Sequence, residues 1–204
     1  MLREVQEELK SGYNVVFRAD LSFYYLQSYY LDGLLDLSCT SAGVPTRQAD
    51  YIRYRKEYFN EEVWTYCGMS EPDASNMVNN YATPMTAYLK GCTGYLPWNC
   101  YGSYENYEKP SSIALIYPAG RAGSYLPNVS FRLKMARRAV QDIEYLCLLQ
   151  KKYGYDNEQI ESIVGDLMKA SAGDNYESWW TARGKMRYAD TVKLRELVVK
   201  LLEK

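Results

Sequence analysis

The sequence contains no histidine. That absence excludes Ser-His-Asp and Cys-His catalysis, and any histidine-ligated metal, within this chain. Charge of either sign is not in excess: 24 Lys+Arg against 25 Asp+Glu leave a net −1. The clustered basic surplus that nucleic acid or an anionic membrane surface requires is missing, so neither is expected as a partner. No apolar run approaches the roughly 18 residues of a membrane span. Residues 1–10, MLREVQEELK, read as a polar amphipathic helix and not as a signal peptide. The five cysteines, Cys39, Cys67, Cys92, Cys100 and Cys147, form no CxxC pair. Their odd number argues against a disulfide framework, so small core residues or idle thiols are expected, with a Cys92–Cys100 bridge as the lesser alternative. The glycines of Gly120-Arg121-Ala122-Gly123 follow neither the dinucleotide fingerprint nor the phosphate loop. No cofactor and no metal are expected.

What is present is a globular composition, 47% hydrophobic over 204 residues, enough for one domain with a real core. Tyrosine is abundant, at 22 against 4 phenylalanines. Its apolar ring and polar tip suit surfaces that stack and hydrogen-bond at once, as in sugar clefts and protein interfaces. Along the chain, short apolar strands at 15–20, 34–39, 62–67, 94–98 and 113–117 alternate with helices. The helices fall at 1–11, 22–31, 45–59, a stretch ending near Gly91, 127–153, 157–170 and 188–203. Strands separated by helices predict parallel βαβ units. Four or five strands are too few for a closed (β/α)8 barrel of typically about 250 residues. The opening helix has no strand before it. The fold expected is α/β: the C-terminal half of a (β/α)8 TIM-type barrel, followed by C-terminal helices. Residues 1–153 would form the half-barrel and 154–204 a helical extension of the same domain. The inward residues of its strands are expected to be apolar or aromatic.

In parallel α/β folds the ligand site lies at the carboxyl ends of the strands. Those ends carry Asp20, Cys39, Thr40, Tyr66, Cys67, Trp98, Asn99 and Tyr101. The rim of Tyr66, Trp98, Asn99 and Tyr101 is the predicted substrate-binding set. Its rings could stack on the apolar face of a sugar, while amide and phenols bond the hydroxyls; ordinary core packing is the competing reading. A glycosidase needs two carboxyls roughly 5–9 Å apart. Asp20, Asp36, Glu71 and Asp73 are available, but no motif pairs them, and catalytic residues are not assigned. In the longest helix, Ser130 is a candidate cap and Arg138–Asp142 a helical ion pair. Leu133, Ala136, Val140, Ile143 and Cys147 are the expected buried stripe. Arg132 opposes the helix dipole, which predicts a fixed carboxylate or carbonyl partner.

That helix carries the pattern Ser-x-Arg-x-x-x-x-Arg-x-x-x-x-Asp-x-Glu-x-Leu at Ser130, Arg132, Arg137, Asp142, Glu144 and Leu146. It resembles the C-terminal part of the catalytic domain of glycoside hydrolase family 123. Three upstream pieces are similar to the same family: Glu62 to Cys67, Gly94 to Trp98, and Ile116-Tyr117-Pro118 followed by a glycine. The resemblance covers 62–153. It implies the second half of a (β/α)8 barrel and a hexosaminidase acting on β-linked N-acetylgalactosamine-like sugars by substrate assistance. The family's adjacent Asp-Glu pair would lie upstream of Met1, in a missing N-terminal half-barrel, and this chain has no such dipeptide. The implied partners are a carbohydrate substrate and that missing half, or a second copy by self-association. The isolated chain is expected to be inactive, and a secreted or periplasmic location is implied. The alternative reading is a non-catalytic carbohydrate- or protein-binding α/β module.

Overall fold

The computed structural model describes residues 2–67, 79–97, 100–109, 114–120, 123–169 and 186–204. Helix α1 (Leu2–Gly12) leads into β1 (Arg18–Leu21), α2 (Tyr24–Tyr30) and β2 (Leu37–Ser41). Helices α3 (Gly43–Arg47) and α4 (Ala49–Phe59) precede β3 (Glu62–Cys67), and α5 (Asn79–Leu89) precedes β4 (Gly94–Pro97). The four strands form one parallel sheet in the order β1-β2-β3-β4. This is the expected βαβ succession, with each connection made by helix.

The sheet has two unlike faces. Side chains alternate along a strand, so in-register residues of parallel neighbours share a face. One face carries Val63, which is buried against Val44, Tyr51, Ile52, Ala87 and Cys92, and it is therefore the helix-covered side. Leu21, Thr40 and Thr65 share it and are also buried. The opposite face carries Arg18, Asp20, Cys39, Glu62, Trp64 and Tyr66. Arg18, Asp20 and Glu62 are exposed on it. The expectation of mostly apolar strands therefore fails at β1, where Leu21 alone is buried, and the face away from the helices is partly ionic.

Three elements depart from the sequence reading. The helix expected at 45–59 is broken: Gln48, at φ −148° and ψ 52°, ends α3 and precedes α4. The fifth strand does not join the parallel sheet. β5 (Ile116–Tyr117) pairs antiparallel with β6 (Asn128–Val129), although Ile116 also makes an isolated parallel bridge to Tyr101. Helix α6 (Phe131–Tyr153) consequently starts after β6 and not at 127. Ser130 caps it, its Oγ accepting from the Leu133 N–H at 3.2 Å, as expected. Gly154 closes it at φ 71°, a left-handed position that glycine takes without a Cβ clash.

The larger core lies beside the sheet. Tyr81, Met85 and Leu89 of α5 pack with Met135, Ala139, Leu146 and Leu149 of α6. Ile160 and Val164 of α7 (Asn157–Lys169), with Leu194 and Val198 of α8 (Tyr188–Leu202), complete it. The buried stripe of α6 is thus Met135, Ala139, Asp142, Leu146 and Leu149, one position away from the expected one. Val140 and Cys147 are exposed. The polar Asp142 sits inside this stripe, which is why an apolar periodicity cannot find it.

Candidate functional site

The face away from the helices is where the strands bring chemistry together. Arg18 and Asp20, two apart on β1, point the same way, and the guanidinium donates to Asp20 Oδ1 from Nε at 3.1 Å and from Nη2 at 2.6 Å. The bonds to Asp20 raise the Arg18 pKa against the opposing effect of burial. Beneath the pair lies Cys39, with no exposed surface. Burial, then the Asp20 charge, push its thiol up to about 11, so it stays protonated at neutral pH and is no nucleophile.

Trp64 and Tyr66 continue this face on β3, both half-buried, and the expected sharing of one face holds. The Trp64 Nε1–H donates to Glu62 Oε2 at 3.2 Å, and the Thr93 hydroxyl meets the same oxygen at 3.3 Å. The indole extends over β4: a Cβ on Gly94 would lie 2.5 Å from ring atoms Cδ2 and Cε2. Glycine at 94 is what lets the ring reach the sheet edge. The Tyr66 hydroxyl is 3.0 Å from the Ser22 Oγ, which follows the end of β1. That bond spans two strands at their carboxyl ends. Ser22, Arg18 and Glu62 are contributors that the strand-end reading passed over. Period two from Asp20 and Trp64 would have found the last two.

Of the predicted rim, Tyr66 occupies the carboxyl end of β3, in register with Ser41 and Leu96. Tyr101 lies beyond β4, exposed, at the parallel bridge to Ile116. Trp98 and Asn99 lie outside the described residues, as do Glu71 and Asp73. Asp36, the remaining loop acid, is structural. It accepts from Lys10 and, at 2.9 Å, from the Phe17 N–H. Burial works against its ionisation, but those two bonds win and hold its pKa below the usual range. No cluster of three or more metal-ligating side chains occurs among the described residues. No helix of the described residues is long and apolar enough to cross a membrane. Cys92 and Cys100 are both free, so the bridge between them does not form.

Behind the site are two buried ionic networks. Arg55, on α4, donates from Nε to Glu61 Oε2 at 3.0 Å, from Nη2 to Glu61 Oε1 and from Nη1 to Asp32; Ser38 donates to Glu61 as well. This fixes α4 and the start of β3 to β2. In the helical layer, Asp142 accepts from the Tyr81 hydroxyl at 2.8 Å and from Arg195 Nε at 2.5 Å. The expected Arg138–Asp142 pair is present at 3.8 Å. Arg132 has its expected carbonyl partner, Ala114, at 3.3 Å.

Neither a protein-family profile nor a curated protein matches the chain. A solved structure does. It is the family 123 glycoside hydrolase from Clostridium perfringens, whose structural analysis concerned glycolipid glycan hydrolysis. It superposes with a TM-score of 0.61 at 14% identity, covering 92% of this chain and 35% of that one. The chain thus spans about a third of that enzyme's length, and the two share a fold across it.

Proposed function

We propose that the chain is the C-terminal half of a glycoside-hydrolase-like (β/α)8 barrel and contributes part of a sugar pocket. The ligand class is a β-linked N-acetylhexosaminide of the N-acetylgalactosamine type. One observation carries this reading: the sheet with one helix-covered face and one polar, aromatic face lies within a fold shared over 92% of the chain with a family 123 glycoside hydrolase. Tyr66, Trp98, Asn99 and Tyr101 form the proposed substrate rim, on the rule that α/β sites gather at strand carboxyl ends. The catalytic carboxylates are assigned to the other half of the barrel. In the complete pocket Trp98→Ala costs about 1–3 kcal/mol of sugar binding if the ring is a stacking anchor.

The exposed apolar side chains around β1 support an unfinished surface. Val16, Phe23 and Leu26 flank that strand in sequence and are all exposed. A parallel edge strand with such neighbours invites another strand beside it. Two measurements test the proposal. The chain alone, given a chromogenic N-acetylhexosaminide, shows only background turnover. Turnover abolished by Asp20→Asn would mean a self-contained site and defeat the half-barrel assignment. Light scattering with a hydrophobic dye detects self-association or dye uptake. A dye-silent monomer that unfolds cooperatively would favour a self-contained carbohydrate- or protein-binding module.

A further inference from the structure

On the helix-covered side, away from the sugar face, a cavity of about 320 Å³ opens between α2 and α4. Tyr25, Tyr29, Tyr51 and Tyr54 line it, with Asp32 and Asp50. Tyr25 and Tyr51 meet edge to face with ring centroids 5.8 Å apart. Tyr29 and Tyr54 keep 73% and 42% of their surface open to solvent. Four phenol rings, two from α2 and two from α4, thus line one cavity, and the Arg55 guanidinium already lies 6.0 Å from the Tyr51 centroid; aromatic faces attract cations.

The charges favour the same ligand. Arg55 also borders the cavity, but three of its five N–H donors are engaged: Nε and Nη2 on Glu61, Nη1 on Asp32 Oδ1. Arg55 is bonded to both the Asp32 and Glu61 carboxylates, while a second guanidinium, Arg3, donates to the Asp32 backbone carbonyl at 3.2 Å. Glu61 is fully buried, whereas the Asp32 side chain is 30% exposed. The carboxylate of this network that faces the cavity is therefore Asp32, and among the described residues no bond to its Oδ2 forms. Arg53 neutralises Asp50 across one helical turn. An anion would meet the Asp32 and Asp50 carboxylates, with at most the two Arg55 N–H groups not bonded to Glu61 and Asp32 to bind it. An ammonium carrying methyl groups needs only a carboxylate and aromatic walls.

We propose that this cavity binds an alkylated ammonium ion of about choline size, with Asp32 as counter-charge and Tyr25, Tyr29 and Tyr54 as walls. The site is independent of the sugar face. The test is a titration of the full chain with tetramethylammonium chloride, followed by calorimetry and by tyrosine ring NMR. Saturable binding in the millimolar range is expected. The uncharged isostere of choline, 3,3-dimethyl-1-butanol, should bind at least fivefold more weakly than choline, consistent with loss of a partly screened charge interaction. Tyr29→Ala, at a ring left largely exposed, and Tyr54→Ala, whose ring also packs on Tyr58 and Phe59 and whose fold is therefore checked by circular dichroism, should each weaken binding about two- to fivefold. Asp32→Asn should weaken it about fivefold where circular dichroism shows the fold retained. Comparison of choline, a trimethyl-lysine peptide and phosphatidylcholine vesicles then names the source, the tightest binder carrying the natural headgroup. No saturable binding, equal binding of the neutral isostere, or a saturable response of these tyrosines to N-acetylgalactosamine would each overturn the assignment.

Discussion

Replacing Asp142 by Asn tests how the helical layer is held. The carboxylate is 1% exposed and faces two arginines and a phenol. Breaking a buried ion pair by removing one partner costs about 3–5 kcal/mol, because the remaining charge is left uncompensated. Here the remaining cations keep some water: the Arg195 and Arg138 side chains are 28% and 21% exposed. That places the cost near the lower end, about 3 kcal/mol. Two guanidinium nitrogens, Arg138 Nε and Arg195 Nη2, are buried without a hydrogen bond among the described residues. An uncharged amide keeps one acceptor oxygen but no charge to set against them. For a chain of this size about 3 kcal/mol is a fall of roughly 6–12 °C in Tm. The assay is urea and thermal unfolding of the wild type, Asp142→Asn, Tyr81→Phe and the double variant. Tyr81→Phe removes a neutral donor to a charged acceptor and should cost about 1.5–3 kcal/mol. The double variant should cost less than the sum, since the phenol has no carboxylate to meet. An Asp142→Asn loss under about 1 kcal/mol would refute the argument, since exposed pairs have that value.

Gly94→Ala drives a Cβ into the Trp64 indole at 2.5 Å; about 1–3 kcal/mol of destabilisation, with a shifted tryptophan emission, is expected, and unchanged emission would contradict the ring's position. Thiol alkylation followed by peptide mapping should find the exposed Cys147 modified first, with Cys39 and Cys92 protected. Burial raises those two thiols to about 11 and about 12, and rapid native-state labelling of either would count against that burial. Stability should fall as pH rises above the ordinary thiol range, about 9. Cys39 and Cys92, and above pH about 10 Tyr81, lose their protons more readily unfolded than folded, so the unfolded chain gains from alkali. Asp36 acts in the other direction: its lowered pKa contributes stability above the usual carboxylate range that is lost as acid protonates it, an effect Lys10→Ala should reduce.

Local periodicity made the four parallel strands and their helices legible, because each pattern depends on neighbours within one element. β5 shows the limit. Its apolar run, Ile113 to Tyr117, looks like a fifth parallel strand, yet its pairing is decided by a partner twelve residues on, at Asn128–Val129. The α6 stripe shows another limit. Val140 and Cys147 have the right spacing and the right chemistry, but α5, α7 and α8 pack against the neighbouring face. That face contains an aspartate, since Tyr81 and Arg195 arrive from residues 61 and 53 positions away to satisfy it. Apolar counting skips such a position although it is among the most buried in the chain. The same blindness hides Arg55 and Glu61, charged in sequence and buried in the fold. The sheet face away from the helices was half legible. Asp20, Trp64 and Tyr66 follow from strand ends and period two. The reach of Trp64 over Gly94 and the Ser22–Tyr66 bond depend on register between strands, which no single strand encodes.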